Sequence, residues 1–179
     1  MGVSLAKAED LQRLAQFARL TFATAFGEDL GEACLAEHFQ RNMSDDQFSK
    51  MIASDTFYLA NDNDDLVGFA QIGPVNSTYQ EYLESFDAQA SELRRLYVLS
   101  TYQGHGIGSE LMKHAFQDPL VVATRTIYLT TWEANVGAQA LYQRNGFRKV
   151  GAIPEYRQDG KLEGYEYILA RPAGHGGTT

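Results

Sequence analysis

Leu93-Arg94-Arg95-Leu96-Tyr97-Val98-Leu99-Ser100-Thr101-Tyr102-Gln103-Gly104-His105-Gly106-Ile107-Gly108-Ser109 joins two kinds of patterning through three alternating glycines. Before the glycines, Glu92 to Leu99 reads as a strand. After them, Ile107, Leu111, Met112, Ala115 and Phe116 recur at helical spacing, which predicts an amphipathic helix from about Gly106 to Phe116. Glycines at such a turn let backbone N–H groups converge, and a helix start adds the positive end of its dipole. Together they form an anion site that needs no charged side chain, and a pyrophosphate is its natural occupant. A dinucleotide fingerprint would need a third glycine where Ser109 stands, and a phosphate-binding P-loop would need Gly-Lys-Ser/Thr at the helix start, which this turn lacks.

Outward from this turn, strands and helices intersperse, as in a mixed α/β sheet. Val3 to Lys7 reads as a strand. Asp10 reads as the cap of a helix carrying Leu11, Leu14, Ala15, Ala18, Phe22 and Ala25, which Gly27 closes. An acidic connection with Glu28, Asp29 and Glu32 leads to a second helical stretch with Cys34, Leu35, His38 and Phe39. Ser44-Asp45-Asp46 starts a third. Thr56 to Ala60 and Leu66 to Ile72 read as strands around an Asn/Asp turn. Ser77 to Ala90 is a polar and aromatic connection. Arg125 to Thr131 is a strand, Asn135 to Asn145 a helix, and Phe147 to Ile153 and Leu162 to Ala170 are the last strands.

The chain has 179 residues, long enough for one domain with a substantial core. Its 15 basic and 23 acidic residues give a formal charge of −8. An acidic surface repels phosphate backbones and anionic membranes and attracts cations, so neither nucleic acid nor a membrane is an expected partner. No apolar run approaches the roughly 18 residues of a membrane span, and the N-terminus lacks the plan of a signal peptide. The single Cys34 excludes an internal disulfide and fits a reducing cytoplasm, the expected location.

The spacing Gln103-x-x-Gly106-x-Gly108 resembles the acyl-CoA pyrophosphate loop of the GNAT superfamily of N-acetyltransferases. Trp132-Glu133-Ala134-Asn135-Val136-Gly137-Ala138-Gln139-Ala140-Leu141-Tyr142-Gln143-Arg144-Asn145-Gly146-Phe147 is similar to that family's second CoA motif, with its Asn, its A-x-x-L-Y core and its N-G-F ending. The resemblance implies a mixed, mostly antiparallel twisted sheet of six to seven strands flanked by helices, with splayed central parallel strands that bind acyl-CoA. It implies a single domain over residues 1–171, followed by a flexible tail, 172–179. Acetyl-CoA is then the co-substrate. Backbone groups of Leu96, Tyr97 and Val98 would pair with pantetheine, and Gln103, Gly104, His105, Gly106, Ile107, Gly108 and Ser109 would hold the pyrophosphate. Family members often carry Arg where this chain has Gln103, so backbone amides must supply more of the anion binding here.

Acetyl transfer to an amine requires that the amine lose a proton and the departing thiolate gain one. By resemblance, Tyr142 donates to the CoA sulfur. A phenol with a pKa near 10 keeps its proton at neutral pH and can do so. The alternative is a core tyrosine packed on the sheet. Asn135 would contact pantetheine amides, or cap the helix, or both. Glu92 stands eleven residues before Gln103, the separation of the catalytic Glu in histone-type members of the superfamily. Glu92 is therefore the candidate base, with a solvated Glu or an Arg94 partner as the alternative. Cys34 and His38 are four apart on a helix, but no third partner completes a nucleophilic site. The four histidines show no metal-ligand spacing, so no metal is expected.

In this family the acceptor cleft is lined by the connection after the first helix and by the loop before the last strand. Here these offer Glu28, Asp29 and Glu32, and Glu155, Asp159 and Glu163. Acidic walls suit a small cationic amine, and the chain resembles the bacterial spermidine/spermine acetyltransferases. Acetyltransferases of protein amines and of amine-bearing antibiotics share the same strings, and the acidic residues read equally as solvated surface. A non-catalytic acyl-CoA-binding module is the rival class. It would need the phosphate loop but neither Tyr142 nor Glu92. Family members often form homodimers through sheet edges, and no residue here decides that point.

Overall fold

Alternating strands and helices follow one another from the N-terminus: β1 (Gly2–Leu5), a 3-10 turn (Ala8–Asp10), α1 (Leu11–Asn42), α2 (Asp45–Ser54), β2 (Thr56–Asp62) and β3 (Asp65–Pro74). A second 3-10 segment (Ser77–Tyr82) precedes β4 (Ser91–Val98), and a third (Ser100–Tyr102) leads to α3 (Ile107–Phe116). The chain continues through α4 (Pro119–Ala123), β5 (Thr126–Trp132), α5 (Val136–Arg144), β6 (Arg148–Tyr156) and β7 (Leu162–Pro172). This computed structural model describes residues 2–157 and 160–173, without the side chains of Glu28 and Asp29. The seven strands form one mixed sheet in the order β1-β2-β3-β4-β5-β7-β6. β4 and β5 are parallel, in register at Ser91↔Ile127 and Glu92↔Tyr128. β1 with β2, β5 with β7 and β6 with β7 are antiparallel.

Contacts divide the chain into two units, Met1–Gln71 with Arg95–Ala115, and Ile72–Arg94 with Phe116–Thr179. The core of the first unit is built on the apolar stripe of α1. Leu14, Ala15, Phe17 and Ala18 are buried against Phe48, Phe57, Leu59 and Phe69. Each such aromatic or leucine removed from water stabilises the fold by about 1.5–3 kcal/mol. Buried Gln71 ties this core to polar neighbours: its amide donates to Asp55 Oδ2 at 2.6 Å and its oxygen accepts from Arg95 Nη1 at 2.5 Å. In the second unit, Tyr79, Ala90, Tyr128 and Ile168 are buried together, with Val75, Leu83, Phe86 and Ile153 packed against them. The segment after β3 lies so close to β6 that a Cβ on Gly151 would meet Tyr82 O at 2.6 Å. Gly151 is thus a close-approach glycine.

Several expected boundaries move. Gly27 does not end the first helix. The break falls at Gly31, whose φ of 73° and ψ of 163° only glycine adopts readily, within an element that runs on to Asn42. Glu32 therefore continues a helix and is not part of a loop. Asp10 does not cap α1: its carboxylate accepts from the Lys7 N–H at 2.9 Å and from Arg13 at 2.9 Å. Ser44 does cap α2, accepting from the Gln47 N–H at 3.3 Å. α4 has no counterpart in the sequence reading, although Asp118 at its cap and Pro119 at its first position are recognised helix-start residues. β7 extends through Pro172, paired with Thr126, and Ala173 N–H donates to Arg125 O. The rest of the expected tail, residues 174–179, lies outside the described residues, as does Asp159. No helix among the described residues is long and apolar enough to cross a membrane.

Candidate functional site

The glycine turn belongs to the first unit. β4 is held against β3 where Leu99 N–H donates to Val67 O at 3.0 Å. Gly68 permits this approach, since a Cβ there would lie 2.8 Å from Tyr97 O. Tyr97 packs edge-on against Phe69, with ring centroids 5.2 Å apart, so its side chain is committed to the core and its backbone borders the turn. Gln103 turns back, its amide donating to Val98 O at 3.2 Å, and His105 Nδ1 lies 3.0 Å from Gln103 O. Gly104 and Gly106 have φ of +79° and +83°, and a Cβ on either would meet nothing within 4 Å. Backbone conformation, and not crowding, is what calls for glycine here. Glu110 N–H donates to Gly106 O at 3.0 Å, the first bond of α3, so the amides of Ile107, Gly108 and Ser109 precede any intrahelical acceptor. Ile107, Leu111, Met112 and Ala115 are buried and anchor the helix behind them. An open backbone turn leading into a helix N-terminus fits a pyrophosphate. A valine at Gly106 would be forced out of this conformation at a cost of about 1–3 kcal/mol. Calorimetry on a folded Gly106→Val protein is therefore expected to show acetyl-CoA binding weakened about tenfold or more.

Glu92 sits in the second unit, and it is not solvated: only 7% of its surface is exposed. Its Oε1 accepts from the Tyr79 hydroxyl at 2.6 Å and its Oε2 from the Asn76 N–H at 2.9 Å. Arg94, named as an alternative partner, forms an ion pair with Oε2 at 4.0 Å and also donates to Pro74 O at 2.7 Å. Burial, the Glu92 charge and the hydrogen bond to Glu92 push the Tyr79 phenol well above its usual range, against an opposing pull from Thr130. Tyr79 thus remains a proton donor. The register places Glu92, Tyr128, Thr130, Trp132, Glu166 and Glu155 on one face of the sheet. Burial raises the half-buried Glu166 carboxyl above the usual range; Thr130 opposes this, and Glu155 and Glu92 add to it.

Tyr142 and Asn135 also lie in the second unit. Asn135 caps α5, its side chain accepting from the Ala138 N–H at 3.1 Å. The turn before it is pinned by Gln139, which donates to Glu133 O at 2.7 Å. Glu133 in turn accepts from the Tyr165 N–H at 3.2 Å and the Tyr167 hydroxyl at 3.3 Å. Tyr142 is 7% exposed and meets Phe147 edge-on at 6.0 Å. Phe147 also packs on Phe116, and Arg171 lies 4.1 Å over that ring. Arg171 pairs with Ile127 in the sheet, so this aromatic cluster covers the face opposite Glu92. The core-packing reading of the Tyr142 ring therefore holds, as does the capping reading of Asn135.

Of the acidic residues after α1's first segment, Glu32 is exposed, and the side chains of Glu28 and Asp29 lie outside the described residues. Cys34 is exposed, whereas the His38 ring stacks on Phe22 at 4.2 Å. Among the described residues, no group of three or more His, Cys, Asp or Glu side chains could hold a metal ion.

Residues 17–147 match the profile of the acetyltransferase (GNAT) family. The chain belongs to this family. It is an acetyl-CoA-dependent N-acetyltransferase. It is 23% identical over 143 residues to an uncharacterised N-acetyltransferase from the pepI 3' region of Lactobacillus delbrueckii subsp. lactis, a match covering 79% of this chain and 80% of that one. It is 36% identical over 90 residues to the spermine/spermidine N(1)-acetyltransferase of Bacillus subtilis (strain 168), covering 50% of this chain and 57% of that protein. Its fold is similar to that of the PaiA N-acetyltransferase from Thermoplasma acidophilum in complex with coenzyme A. The TM-score is 0.71 at 19% identity, over 96% of this chain and 99% of the other.

Within this acetyltransferase, sequence reasoning missed Tyr79, Thr130 and Glu166. Tyr79 is thirteen residues from Glu92 in a segment with no periodic pattern, so nothing local linked the two. Glu166 alternates with Tyr165 and Tyr167 along β7, and only the sheet register shows that it shares a face with Glu92.

Proposed function

We propose that this acetyltransferase moves the acetyl group of acetyl-CoA directly to a primary amine of a polyamine such as spermidine or spermine. The observation that carries this reading is the sheet face on which buried Glu92 is accompanied by Glu166 and Glu155. A face bearing several carboxylates favours a polycation over a neutral amine. The partial match to a protein named for spermine and spermidine supports the same acceptor. The expected setting is the cytoplasm, where a lone exposed Cys34 would stay reduced.

Bound acetyl-CoA would supply an acetyl thioester. The amides of Gly104 to Ser109 would hold its pyrophosphate, and backbone groups of Leu96, Tyr97 and Val98 its pantetheine, with the Asn135 side chain adding a polar contact. Glu92 would accept the proton of the substrate ammonium as the nitrogen–carbon bond forms. Tyr142 would give its hydroxyl proton to sulfur as the carbon–sulfur bond breaks, and solvent would restore it. The ammonium loses two protons in becoming an amide, one to Glu92 and one to solvent, while sulfur gains one from Tyr142, so once Glu92 and Tyr142 are reset by solvent each turnover releases one proton.

Initial rates with spermidine and with an uncharged amine of similar length test the acceptor. Spermidine should react faster at low salt, and its advantage should fall as ionic strength shortens the Debye length from roughly 30 Å at 0.01 M to 3 Å at 1 M. A faster neutral arylamine, or a preference indifferent to salt, would remove the polyamine reading.

A further inference from the structure

Burying a carboxylate is costly unless donors meet it. Glu92 has a donor on each oxygen, and both come from one short segment. Tyr79, 4% exposed, points its hydroxyl at Oε1 at 2.6 Å from the 3-10 segment Ser77–Tyr82. Asn76, the cap of that segment, offers its backbone N–H to Oε2 at 2.9 Å while its side chain accepts from the Thr78 N–H. The segment itself is seated on the sheet through Tyr79 against Tyr128, with ring centroids 6.3 Å apart, and through the close approach of Tyr82 to Gly151. Thr130 on β5 and Glu166 on β7 share this face of the sheet with Glu92.

We propose that the Tyr79 hydroxyl and the Asn76 amide together position the Glu92 carboxylate for its encounter with the substrate amine. Tyr79 is thus a positioning residue acting through Glu92, and the idea rests on Glu92 as the amine's proton acceptor. Among the described residues, the charged and titratable groups around Glu92 include Tyr79 on the 3-10 segment, Arg94 on its own strand, Tyr128 on β5, Glu166 on β7 and, beyond it, Glu155 on β6. Arg94 favours the charged form, and Glu166 and Glu155, when ionised, oppose it. A Tyr79 phenol whose pKa is raised cannot take the Glu92 proton as phenolate and so acts only as a donor.

Carbon-13 NMR of glutamate-labelled free enzyme follows the Glu92 carboxyl, assigned by its loss in Glu92→Gln. Removing a donor disfavours the charged form, so Tyr79→Phe should move this titration to higher pH by about one to two units. Asn76→Pro tests the other oxygen: φ at Asn76 is −71°, which suits proline, and the substitution deletes the N–H. It should shift the titration in the same direction. In parallel, the acidic limb of kcat/KM for spermidine should move with the titration while acetyl-CoA affinity changes little. An unmoved Glu92 titration in either folded variant overturns the proposal. A titration that moves while the acidic limb does not supports the positioning role and instead removes Glu92 as the base.

Discussion

Tyr142→Phe is expected to lower turnover by roughly 10²–10⁴-fold, the range a positioned general acid contributes, with acetyl-CoA affinity nearly unchanged. The substitution keeps the ring that packs edge-on against Phe147 at 6.0 Å, and so preserves the cluster with Phe116 and Arg171. What it removes is the hydroxyl proposed to protonate the leaving sulfur. The loss would sit at the low end of the range if water reaches the sulfur in its place. Stopped-flow or steady-state kcat, paired with a thermal melt, separates this from a packing defect, which would lower the melt along with the rate. Full activity in Tyr142→Phe would mean the thiolate leaves unassisted, and the acid role would be dropped.

Glu92→Gln should behave differently. Glutamine cannot take the amine's proton, so kcat/KM should fall by roughly 10²–10⁴-fold near neutral pH. The deficit should then shrink as pH rises toward the alkylamine pKa of about 10, because free amine becomes abundant without a base. The structure adds a stability term. Tyr79 can still donate to the amide oxygen, but the amide nitrogen then faces the Asn76 N–H, two donors with no acceptor between them. A buried conflict of this kind costs about 1–3 kcal/mol, so the melt of Glu92→Gln should drop. A rate deficit constant across pH would argue for damage to the site and against loss of a base.

Local chemistry accounts for what the sequence disclosed. The turn through Gly104 and Gly106 could be read because left-handed backbone leaves a residue-type signature, and both do adopt positive φ. The caps at Ser44 and Asn135 were legible because capping is a contact over three residues. The end of the first helical segment was not, because two glycines four apart, Gly27 and Gly31, carry the same signature and only one takes φ above zero. Glu92 could be picked out by its distance from Gln103, but its surroundings could not. The Tyr79 donor and the Glu166 neighbour reach it through tertiary packing and sheet register, which a strand pattern does not encode. The preference of Gln103 for the carbonyl of Val98 was equally hidden, since an amide side chain at a turn has several local acceptors to choose from.

Thiol release from acetyl-CoA across a panel of amines, with mass spectrometry of the acceptor, tests the central claim most directly. Spermidine or spermine should give equal amounts of free CoA thiol and mono-acetylated polyamine, faster than any neutral amine in the panel. Thiol release no faster with any amine than without one, from protein that binds acetyl-CoA, would contradict it.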